Sequence, residues 1–587
     1  MALGPQVGSS AGGAPGWTLN RLTGEPARKM REHQDGRLTG LRLDRYSWWV
    51  AWREVAEYIL PRRYRWLVTP NEYNRGSPIN QAIIDPTAGL GVRICAAGML
   101  EGVTSRSRPW LNLTIPDFDA ADSSPARLWL DECGKRVLRV MASSNYYSAK
   151  HMQLTDLCVF GTGPMIIHED YKNVINCTVP CAGEYFVAVS PTGVVDTLYR
   201  EITQTVSQLV AEFGLDAVSE STRRAFEQGG ATLSREVRVW HAIEPNDSRL
   251  GAGLVPSKFP WREIYWESGT EKAKLLRARG YHSQPFSAPR WDLSGNDAYG
   301  RSPGMDAIGC TKQLQLEQRR KAQGIDKMVN PPLKAHVSMM NQPTVLLPGG
   351  VTYVTDMSAA GSGIAPVYEV QPRLQEMLED IQDVRQLIDK VFFVDLFQML
   401  AQTEKDMTAF EVARRQEEKL VVLGPVLERH DNEALDYEVE RIFDIMARRG
   451  LLPPAPPEIQ GMPIRIQYVS MLSQAQRAAS TAALEQLAAF VGRFMGADPG
   501  ALDNVNMDEA IDEYAQAVGV SPRVLRASVE VAKIRQQRAQ QQAQQQAQQL
   551  TSAGVQGANV LANTPIGQGS ALDALLGTGG GQLGKAA

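Results

Sequence analysis

Long apolar segments are missing from this 587-residue sequence. A membrane-spanning helix needs about 18 or more uninterrupted apolar residues. The two best candidates are broken by charges, Arg93 within 90–100 and Asp395 within 391–400. The first 17 residues also lack the basic segment and apolar core of a secretion signal. We therefore expect a chain that is made in the cytoplasm and has no membrane partner.

The sequence also has few cysteines and no excess of positive charge. Six cysteines are too few for a disulfide scaffold. Lys plus Arg is 61 and Asp plus Glu is 65, so the net charge of -4 argues against a protein that holds nucleic acid through a large electropositive surface. With 43% hydrophobic and 21% charged residues, the composition is that of a folded protein with about three to five structural units.

The sequence also lacks motifs that carry enzyme chemistry. No GxxxxGK[ST] occurs, so we expect no nucleoside triphosphate held in a P-loop. A GxSxG at 8–12 lies in a Gly-, Pro- and Ser-rich arm without the strand and helix of a nucleophile elbow. Cys177 and Cys181 have no second pair at zinc-ligand spacing, and His168 forms no HExxH and is expected at a strand edge. We predict no enzyme, cofactor or metal.

The two ends of the chain are low in complexity. Residues 1–40 are predicted to be a flexible arm, with order starting near Leu41. Residues 522–549 favour helix but end in Gln and Ala only, so they are either a protruding helix or a polar tract. Residues 550–587 are predicted to be disordered.

The first half of the chain passes from helical to strand patterns. Apolar periodicity predicts helices at 43–60, 79–102, 125–141 and 147–160. Short β-branched runs predict strands at 165–168, 174–179, 185–189, 237–242 and 261–266. A helical insert is expected at 206–213.

Two helices of matched length follow. Ser302 and Pro303 supply a cap and a first-turn proline for a helix that ends near residue 328. An apolar stripe predicts a second helix at 372–397. These helices, roughly 39 and 37 Å long, flank strand and turn signals at 329–371. The pattern predicts an antiparallel pair that carries a small β-containing tip.

A polar break and a bent helix come next. The break consists of five residues, Gln402, Thr403, Glu404, Lys405 and Asp406, and is either a plain turn or a functional loop. Gly424 and Pro425 must bend the helix predicted at 407–449, because proline removes a hydrogen bond and clashes with the preceding turn. A strand at 464–469 and helices at 473–495 and 508–518 are expected after a proline-rich linker.

The basic run Arg319, Arg320 and Lys321 invites a nucleic-acid interpretation. Consecutive helical residues point about 100° apart, however, and cannot form one basic stripe. A solvated or subunit-contacting surface is the favoured use of these three residues.

Several separate stretches carry a family resemblance. They read ILPRR at 59–63, DPTA at 85–88, AAGM at 96–99, FGT at 160–162, YGRSPGM at 299–305, PPL at 331–333, PGG at 348–350, MTA at 407–409 and LGP at 423–425. With them, about residues 41–476 resemble the head-to-tail connector, or portal, family of short-tailed bacteriophages. Arg106 and the step 308–310 depart from the pattern of that family.

The resemblance implies a portal fold, α+β and predominantly helical, assembled as a ring of twelve copies. It assigns the segments as follows: wing 41–301, first stem helix 302–328, clip 329–371, second stem helix 372–397, tunnel loop 398–406, tunnel helix and return to the wing 407–472, and crown 473–549. Expected channel residues are Met399, Gln402, Thr403, Glu404, Lys405 and Asp406.

The resemblance also implies a structural function in the virion. The ring would sit at one capsid vertex, where double-stranded DNA is packaged, retained and ejected through it. Its implied partners are the packaging ATPase (terminase), the major capsid protein, the scaffolding protein and the tail adaptor proteins. A monomeric capsid scaffold or tail adaptor, and a terminase-type DNA-processing enzyme, remain as alternatives.

The net charge bears on such a ring. Twelve copies at -4 give -48, and duplex DNA carries about one negative charge per 1.7 Å. The duplex then meets no overall attraction, which suits a conduit that must not hold its cargo. We expect few basic residues on the channel wall, with Lys405 as a candidate exception.

Overall fold

The computed structural model describes most of the first 459 residues and a few later segments. The described ranges are 23–64, 83–115, 124–247, 254–270, 274–335, 365–367, 373–402, 422–459, 465–468 and 531–546, with single residues or short pieces at 337, 340, 487, 489, 506, 509–511, 514 and 548. Two compact units are present: Met1–Leu113, Glu132–Pro454 and Arg465–Phe490 form the first, and Thr114–Asp131, Ala455–Ile464 and Val491–Ala587 form the second.

The first helix begins well before the predicted start of order. Helix α1 spans Glu25–Tyr58, so the flexible arm predicted for 1–40 is wrong from residue 25 onward. Met30 and Leu38 are buried in one core cluster with aromatic residues of the largest sheet. Glycine at position 36 lowers helix propensity, and contacts with the distant sheet stabilise the helix in spite of it.

The described residues of the first part of the chain include five helices. After α1 come α2 (Pro61–Tyr64), α3 (Thr87–Val103), α4 (Ser124–Ser143) and α5 (Tyr146–Phe160), with strand β1 (Leu111–Thr114) between α3 and α4. The predicted helices at 79–102, 125–141 and 147–160 correspond to α3, α4 and α5. Helix α5 ends at Gly161, which adopts a φ of 76° that favours glycine.

Antiparallel strands follow in two sheets. Strands β2 (Met165–Asp170) and β3 (Val174–Thr178) form a three-stranded sheet with β9 (Phe286–Ser287). The five-stranded sheet has the order β4 (Tyr185–Val189), β5 (Val195–Thr205), β6 (Glu236–Pro245), β7 (Trp261–Glu267), β8 (Arg277–Tyr281). All neighbouring strands that pair in this sheet are antiparallel. The sequence predicted β2, β3, β4, β6 and β7 but missed β5, β8 and β9.

Two short helices lie between β5 and β6. Helix α6 (Val206–Phe213) is where the sequence predicts it, and Thr205 and Gln208 form its capping box. Helix α7 (Glu220–Gln228) was not predicted. Leu209 of α6 is buried in a second cluster on the sheet, together with Val239 and Tyr265.

The two long helices predicted around residues 302–397 are present, each with a break. A single turn, α8 (Pro303–Asp306), precedes α9 (Ile308–Val329). Helix α10 (Leu374–Val391) packs along α9. Strands β10 (Leu333–Lys334) and β11 (Ala365–Pro366) pair antiparallel, which brings the end of α9 and the start of α10 together. We call α9 and α10 the hairpin.

The second of these helices is not continuous to residue 397 as predicted. Phe393 has a φ of 56°, and the chain turns there before α11 (Val394–Gln402). Phe392 is fully buried, and a Cβ on Gly91 of α3 would lie 3.0 Å from its ring. The sequence showed only a continuous apolar stripe, because Gly91, which leaves room for the Phe392 ring, lies about 300 residues earlier in the chain. Because α11 continues to Gln402, residues 398–402 of the predicted tunnel loop are helical.

The last helices of the first unit contain an irregular turn. Helix α12 (422–430) leads into a π-helical turn at Asp431–Leu435 and then into α13 (Asp436–Arg448). Gly450 follows with a φ of 65°. Gly424 and Pro425 lie in α12, and the bend expected there stays a prediction. Strand β12 (Arg465–Tyr468) pairs with β1.

The remaining predictions fall largely outside the described residues, which include little of 473–530 and nothing after 548. In the second unit, residues 531–546 are helical and almost entirely exposed, so the described part of the Gln-rich segment is a helix. Among the helices that the structure describes, none is long and apolar enough to cross a membrane.

Candidate functional site

The turn α8, which leads into the hairpin, is attached to the end of α5 through two of the family-like stretches, 160–162 and 299–305. Ser302 accepts a hydrogen bond from the backbone N–H of Met305 (3.1 Å) and donates one from its hydroxyl to the carbonyl oxygen of Val159 (2.6 Å). The backbone N–H of Gly300 donates to Thr162 Oγ1 (2.9 Å). Ser302 thus caps the first turn and anchors it at the same time.

Close backbone approach explains the glycines in these stretches. A Cβ on Gly304 would lie 2.7 Å from the carbonyl oxygen of Val159. Gly161 combines a positive φ with a similar clash against Gly300. Side chains at these positions would separate the hairpin from α5.

Asp85, in the loop before α3, joins both helices of the hairpin to α3. Its Oδ2 accepts hydrogen bonds from Gln318 Nε2 of α9 (2.9 Å) and from Arg385 Nη2 of α10 (2.7 Å). Its Oδ1 accepts from the hydroxyl (2.6 Å) and the backbone N–H (3.1 Å) of Thr87, at the start of α3. One buried carboxylate therefore connects three helices.

The surroundings of Asp85 keep it charged. Burial alone would raise its pKa, but hydrogen bonds from Thr87 and Arg385 and the positive charge of Arg385 outweigh burial and lower the pKa below its usual value. Gln315 completes the junction: its Oε1 accepts from the backbone N–H groups of Ile84 (2.7 Å) and Asp85 (2.9 Å). We call Asp85, Gln315, Gln318 and Arg385 the Asp85 junction.

A second buried ionic group holds α13 against α5. Lys150 Nζ lies 3.0 Å from Glu438 Oε1, and both side chains are fully buried. Tyr146 (2.6 Å) and Ser287 (2.7 Å) donate their hydroxyl hydrogens to the same carboxylate. Burial opposes ionisation of Glu438, but Lys150 and the two hydroxyls outweigh burial and lower its pKa.

Two poorly satisfied groups meet where α12 passes into the π-helical turn, His430 at the end of α12 and Asp431 at the start of the turn. Within the described part of the chain, neither ring nitrogen of His430 has a hydrogen-bond partner. Burial, aided by the charge of Lys150, lowers the pKa of His430 well below its usual value. Burial raises the pKa of Asp431 to about 7, although Lys150 opposes this. Asp431 is half-buried, and its raised pKa makes its charge sensitive to pH near neutrality.

The second arginine of the ILPRR stretch, Arg63, forms an ion pair with α5. Arg63 Nη2 lies 3.1 Å from Asp156 Oδ1, a fully buried atom of α5. Burial raises the pKa of Asp156 to about 6, with Arg63 acting in the opposite direction. Arg63 also contacts Cys181. Cys177 and Cys181 are buried, and no group of metal-ligating side chains occurs in the ranges that the structure describes.

The comparisons with known proteins agree with this architecture. The family model for the bacteriophage head to tail connecting protein matches residues 31–525. The chain belongs to this family. The match begins within α1 and extends far beyond α13, so the hairpin, both sheets and the two buried ionic groups lie within it. The resemblance stated from the sequence is confirmed.

Two curated relatives of this connector family member are portal proteins. The portal protein of Salmonella phage epsilon15 is 41% identical over 545 residues, which cover 92% of this chain and 97% of the relative. The probable portal protein of Bordetella phage BPP-1 is 41% identical over 535 residues, covering 91% and 95%. The expected fold class, α+β and predominantly helical, is confirmed.

Among solved structures, the neck of an empty gene transfer agent particle matches 73% of this chain and 89% of its own chain, with a TM-score of 0.32 and 12% identity. A chain of the native gene transfer agent virion matches 69% and 84%, with a TM-score of 0.29 and 12% identity.

The predicted channel residues are only partly described. Met399 and Gln402 lie one turn apart on the backbone of α11. Thr403, Glu404, Lys405 and Asp406 lie outside the described residues. The structure brings Ser302 and Pro303 to the start of α8 as stated above. The roles of these residues in a channel stay predictions.

Sequence reasoning missed the Asp85 junction and the Lys150–Glu438 pair. Two glutamines on the buried face of α9, Gln315 and Gln318, were a signal, because amides inside a seam need partners. A lysine in the apolar helix α5, Lys150, was another. Their partners Asp85 and Glu438 are 233 and 288 residues away from Gln318 and Lys150, so no local pattern identifies them.

Proposed function

We propose that this chain assembles into a ring of twelve copies that encloses a DNA channel at one vertex of a phage capsid. The observation that carries the proposal is the family match across 31–525, together with portal relatives that align over nearly their whole length. The hairpin of α9 and α10 supports the proposed ring, because a pair of antiparallel helices repeated around an axis can form the wall of a channel.

In this proposal the segments have the roles that the resemblance implied. Residues up to 301, now including α1 from Glu25, form the wing. Helices α8, α9 and α10 form the stem, and β10 and β11 begin and end the clip at 329–371. The tunnel loop shortens to about 403–406, because residues 398–402 are helical. Residues 407–472 contain the tunnel helix and the return to the wing, and 473–549 form the crown.

The proposed ring serves as a structural connection rather than an enzyme. It sits in the virion at the head-to-tail connection, where it contacts the major capsid protein and the scaffolding protein during assembly. The packaging ATPase docks on it while DNA enters, and tail adaptor proteins replace that ATPase afterwards. Its net charge of -48 for twelve copies leaves the duplex free to slide.

Particle mass and shape test the proposal. The purified full-length chain is examined by native mass spectrometry and negative-stain electron microscopy. We expect rings with a central hole and a mass of twelve times 64.6 kDa, about 775 kDa. A single particle of 64.6 kDa at all protein concentrations would contradict the proposal and support a monomeric scaffold or adaptor.

A further inference from the structure

The hairpin carries two exposed stripes of opposite charge, one on each helix. Leu316, Arg320, Gln323 and Lys327 recur on α9 at intervals of four, three and four residues, and all four are exposed. This spacing places them on one face of the helix. We call them the basic stripe.

Helix α10 repeats this pattern with the other sign. Leu387, Asp383, Asp380 and Glu376 follow one another at the same intervals of four, three and four residues, and all are exposed. We call them the acidic stripe. Ile381, Val384 and Ile388 of the same helix are buried, so the acidic stripe lies on a different face from the apolar seam.

The Asp85 junction places the two stripes at the same position along the length of the hairpin. Gln318 and Arg385 bind the same oxygen of Asp85, which makes them level with each other. The pairing of β10 with β11 shows that α9 ends where α10 begins. Lys327 and Glu376 each lie nine residues from this level towards the tip, about 13 Å along an α-helix. Arg320 and Asp383 each lie two residues from it.

The apolar members of the stripes match as well. Leu316 and Leu387 each lie two residues from the Asp85 level on the side away from the tip. They are 46% and 49% exposed, so each stripe offers one apolar side chain at the same level. Each stripe thus presents one leucine and then polar or charged residues in the same order.

Most of these charges have no ion pair within the described chain. The ion pairs found on the two helices are Lys312 with Glu54, Arg385 with Asp85, and Arg373 with Glu376. Of the charged stripe residues, Glu376 alone takes part in one of them, and that pair is exposed. Within the part of the chain that the structure describes, Arg320, Lys327, Asp380 and Asp383 take part in none of the ion pairs.

We propose that the basic stripe of one subunit binds the acidic stripe of the next around the ring. The contact is heterologous, because each subunit offers α9 to one neighbour and α10 to the other, and such contacts close into rings. Leucine meets leucine at the wing end, and Arg320 and Lys327 meet Asp383 and Glu376 towards the tip. The inference rests on the proposed ring and names the surface that closes it.

Charge reversal with complementation tests this surface. The first variant is Arg320→Glu with Lys327→Glu, and the second is Glu376→Lys with Asp383→Lys. Each variant alone places like charges across every contact, so we expect at least a tenfold higher protein concentration for half-assembly, measured by mass photometry. Mixing the two variants restores opposite charges at every contact, so rings form again with strictly alternating subunits. A chain that carries all four substitutions forms rings by itself.

The matched control is Arg319→Glu with Lys321→Glu. It makes the same charge change on the same helix, but these positions lie about 100° to either side of Arg320. We expect its assembly to stay within about twofold of wild type. Circular dichroism of each variant shows whether the fold is retained.

The outcomes separate this surface from the ring itself. Wild-type rings together with unimpaired rings of both charge-reversed variants would overturn the stripe contact and leave the proposed ring standing. Loss of assembly in both variants without recovery in the mixture and in the four-substitution chain would also overturn it. Failure of the wild-type chain to form rings would instead contradict the proposed function.

Discussion

At the scale of single residues, buried ionic groups join segments that are far apart in the sequence. Asp85 and Arg385 are 300 residues apart, and Lys150 and Glu438 are 288 residues apart. Removing one partner of such a pair leaves the other charge without compensation in a poorly solvated place, which costs more than the intact pair contributes. These positions are therefore sensitive to single substitutions.

Substitution of Asp85→Asn is expected to lower the free energy of unfolding by about 1–3 kcal/mol. The amide cannot accept from Gln318, Arg385 and Thr87 together, and Arg385 loses its ion pair. Urea unfolding at a fixed protein concentration measures the change. Asp326→Asn, on the exposed part of α9, is the control and should change stability by less than about 0.5 kcal/mol. Equal effects of the two substitutions would argue against the Asp85 junction.

Substitution of Asp431→Asn is expected to change the pH dependence of stability. The pKa of Asp431 is about 7 in the folded chain against 3.8 without its surroundings. The contribution of Asp431 to stability is fully present below pH 3.8 and is lost as pH rises from 3.8 to about 7. At pH 8 the variant, which carries no charge there, should be more stable than wild type by about 1–2 kcal/mol.

Thermal unfolding of wild type and this variant at pH 8 and pH 5 measures the difference. The difference should be smaller at pH 5, which lies between the unfolded pKa of 3.8 and the folded pKa of about 7, and it should vanish only below pH 3.8. A difference that is the same at both pH values would show that Asp431 does not titrate near neutrality.

At the scale of elements, local signals predicted what local interactions determine. Ser302, Pro303 and the apolar stripe at 372–397 indicated two long helices, because caps and periodicity act within one or two turns, although the second helix ends at Val391 and a new one begins at Val394. Strand β5, Val195–Thr205, was missed because polar and charged residues fill it. Arg200 within it is buried, and its Nε donates to Nδ1 of His241 on β6 (2.8 Å), a contact that sequence patterns do not show.

The turn at Phe393 is a helix break that the local sequence pattern did not predict. The run around it reads as uninterrupted helix, and only glycines on α3 allow the rings of Phe392 and Phe397 to pack closely. The candidate site was therefore predicted as far as the hairpin and its start. The buried junctions and the helical part of the loop depend on contacts between distant segments.

Substitution of Gly98→Ala tests this packing. A Cβ there would overlap the ring of Phe397, so we expect a loss of about 1–3 kcal/mol in the free energy of unfolding. Gly309→Ala on α9 is the matched control, because nothing lies within 4 Å of a Cβ at that position. It should stabilise the helix by about 0.5–1 kcal/mol. Opposite signs for the two substitutions in urea unfolding are the expected result, and a stabilising Gly98→Ala would contradict it.

At the scale of the whole molecule, the net charge is negative, which on the proposed function lets DNA slide through the channel. On the proposed function, Lys405→Ala should leave the yield of filled heads within about twofold of wild type, because the ring does not need to attract the duplex. Counting filled and empty heads by electron microscopy of phage made with the variant measures this. Glu404→Gln is the control in the same loop. Empty heads around intact Lys405→Ala rings would show that the channel depends on holding DNA.

The spacing of the acidic stripe has a further consequence for the ring. Carboxylates occur on successive turns of α10, at Glu376, Asp380 and Asp383. On the proposed stripe contact, a neighbour that slips along this helix by one turn towards the tip, about 5.4 Å, pairs Arg320 with Asp380 but moves Lys327 past Glu376 to the level of Arg373, a like charge. Slippage between subunits is therefore penalised, and the stripes fix the register of the wall.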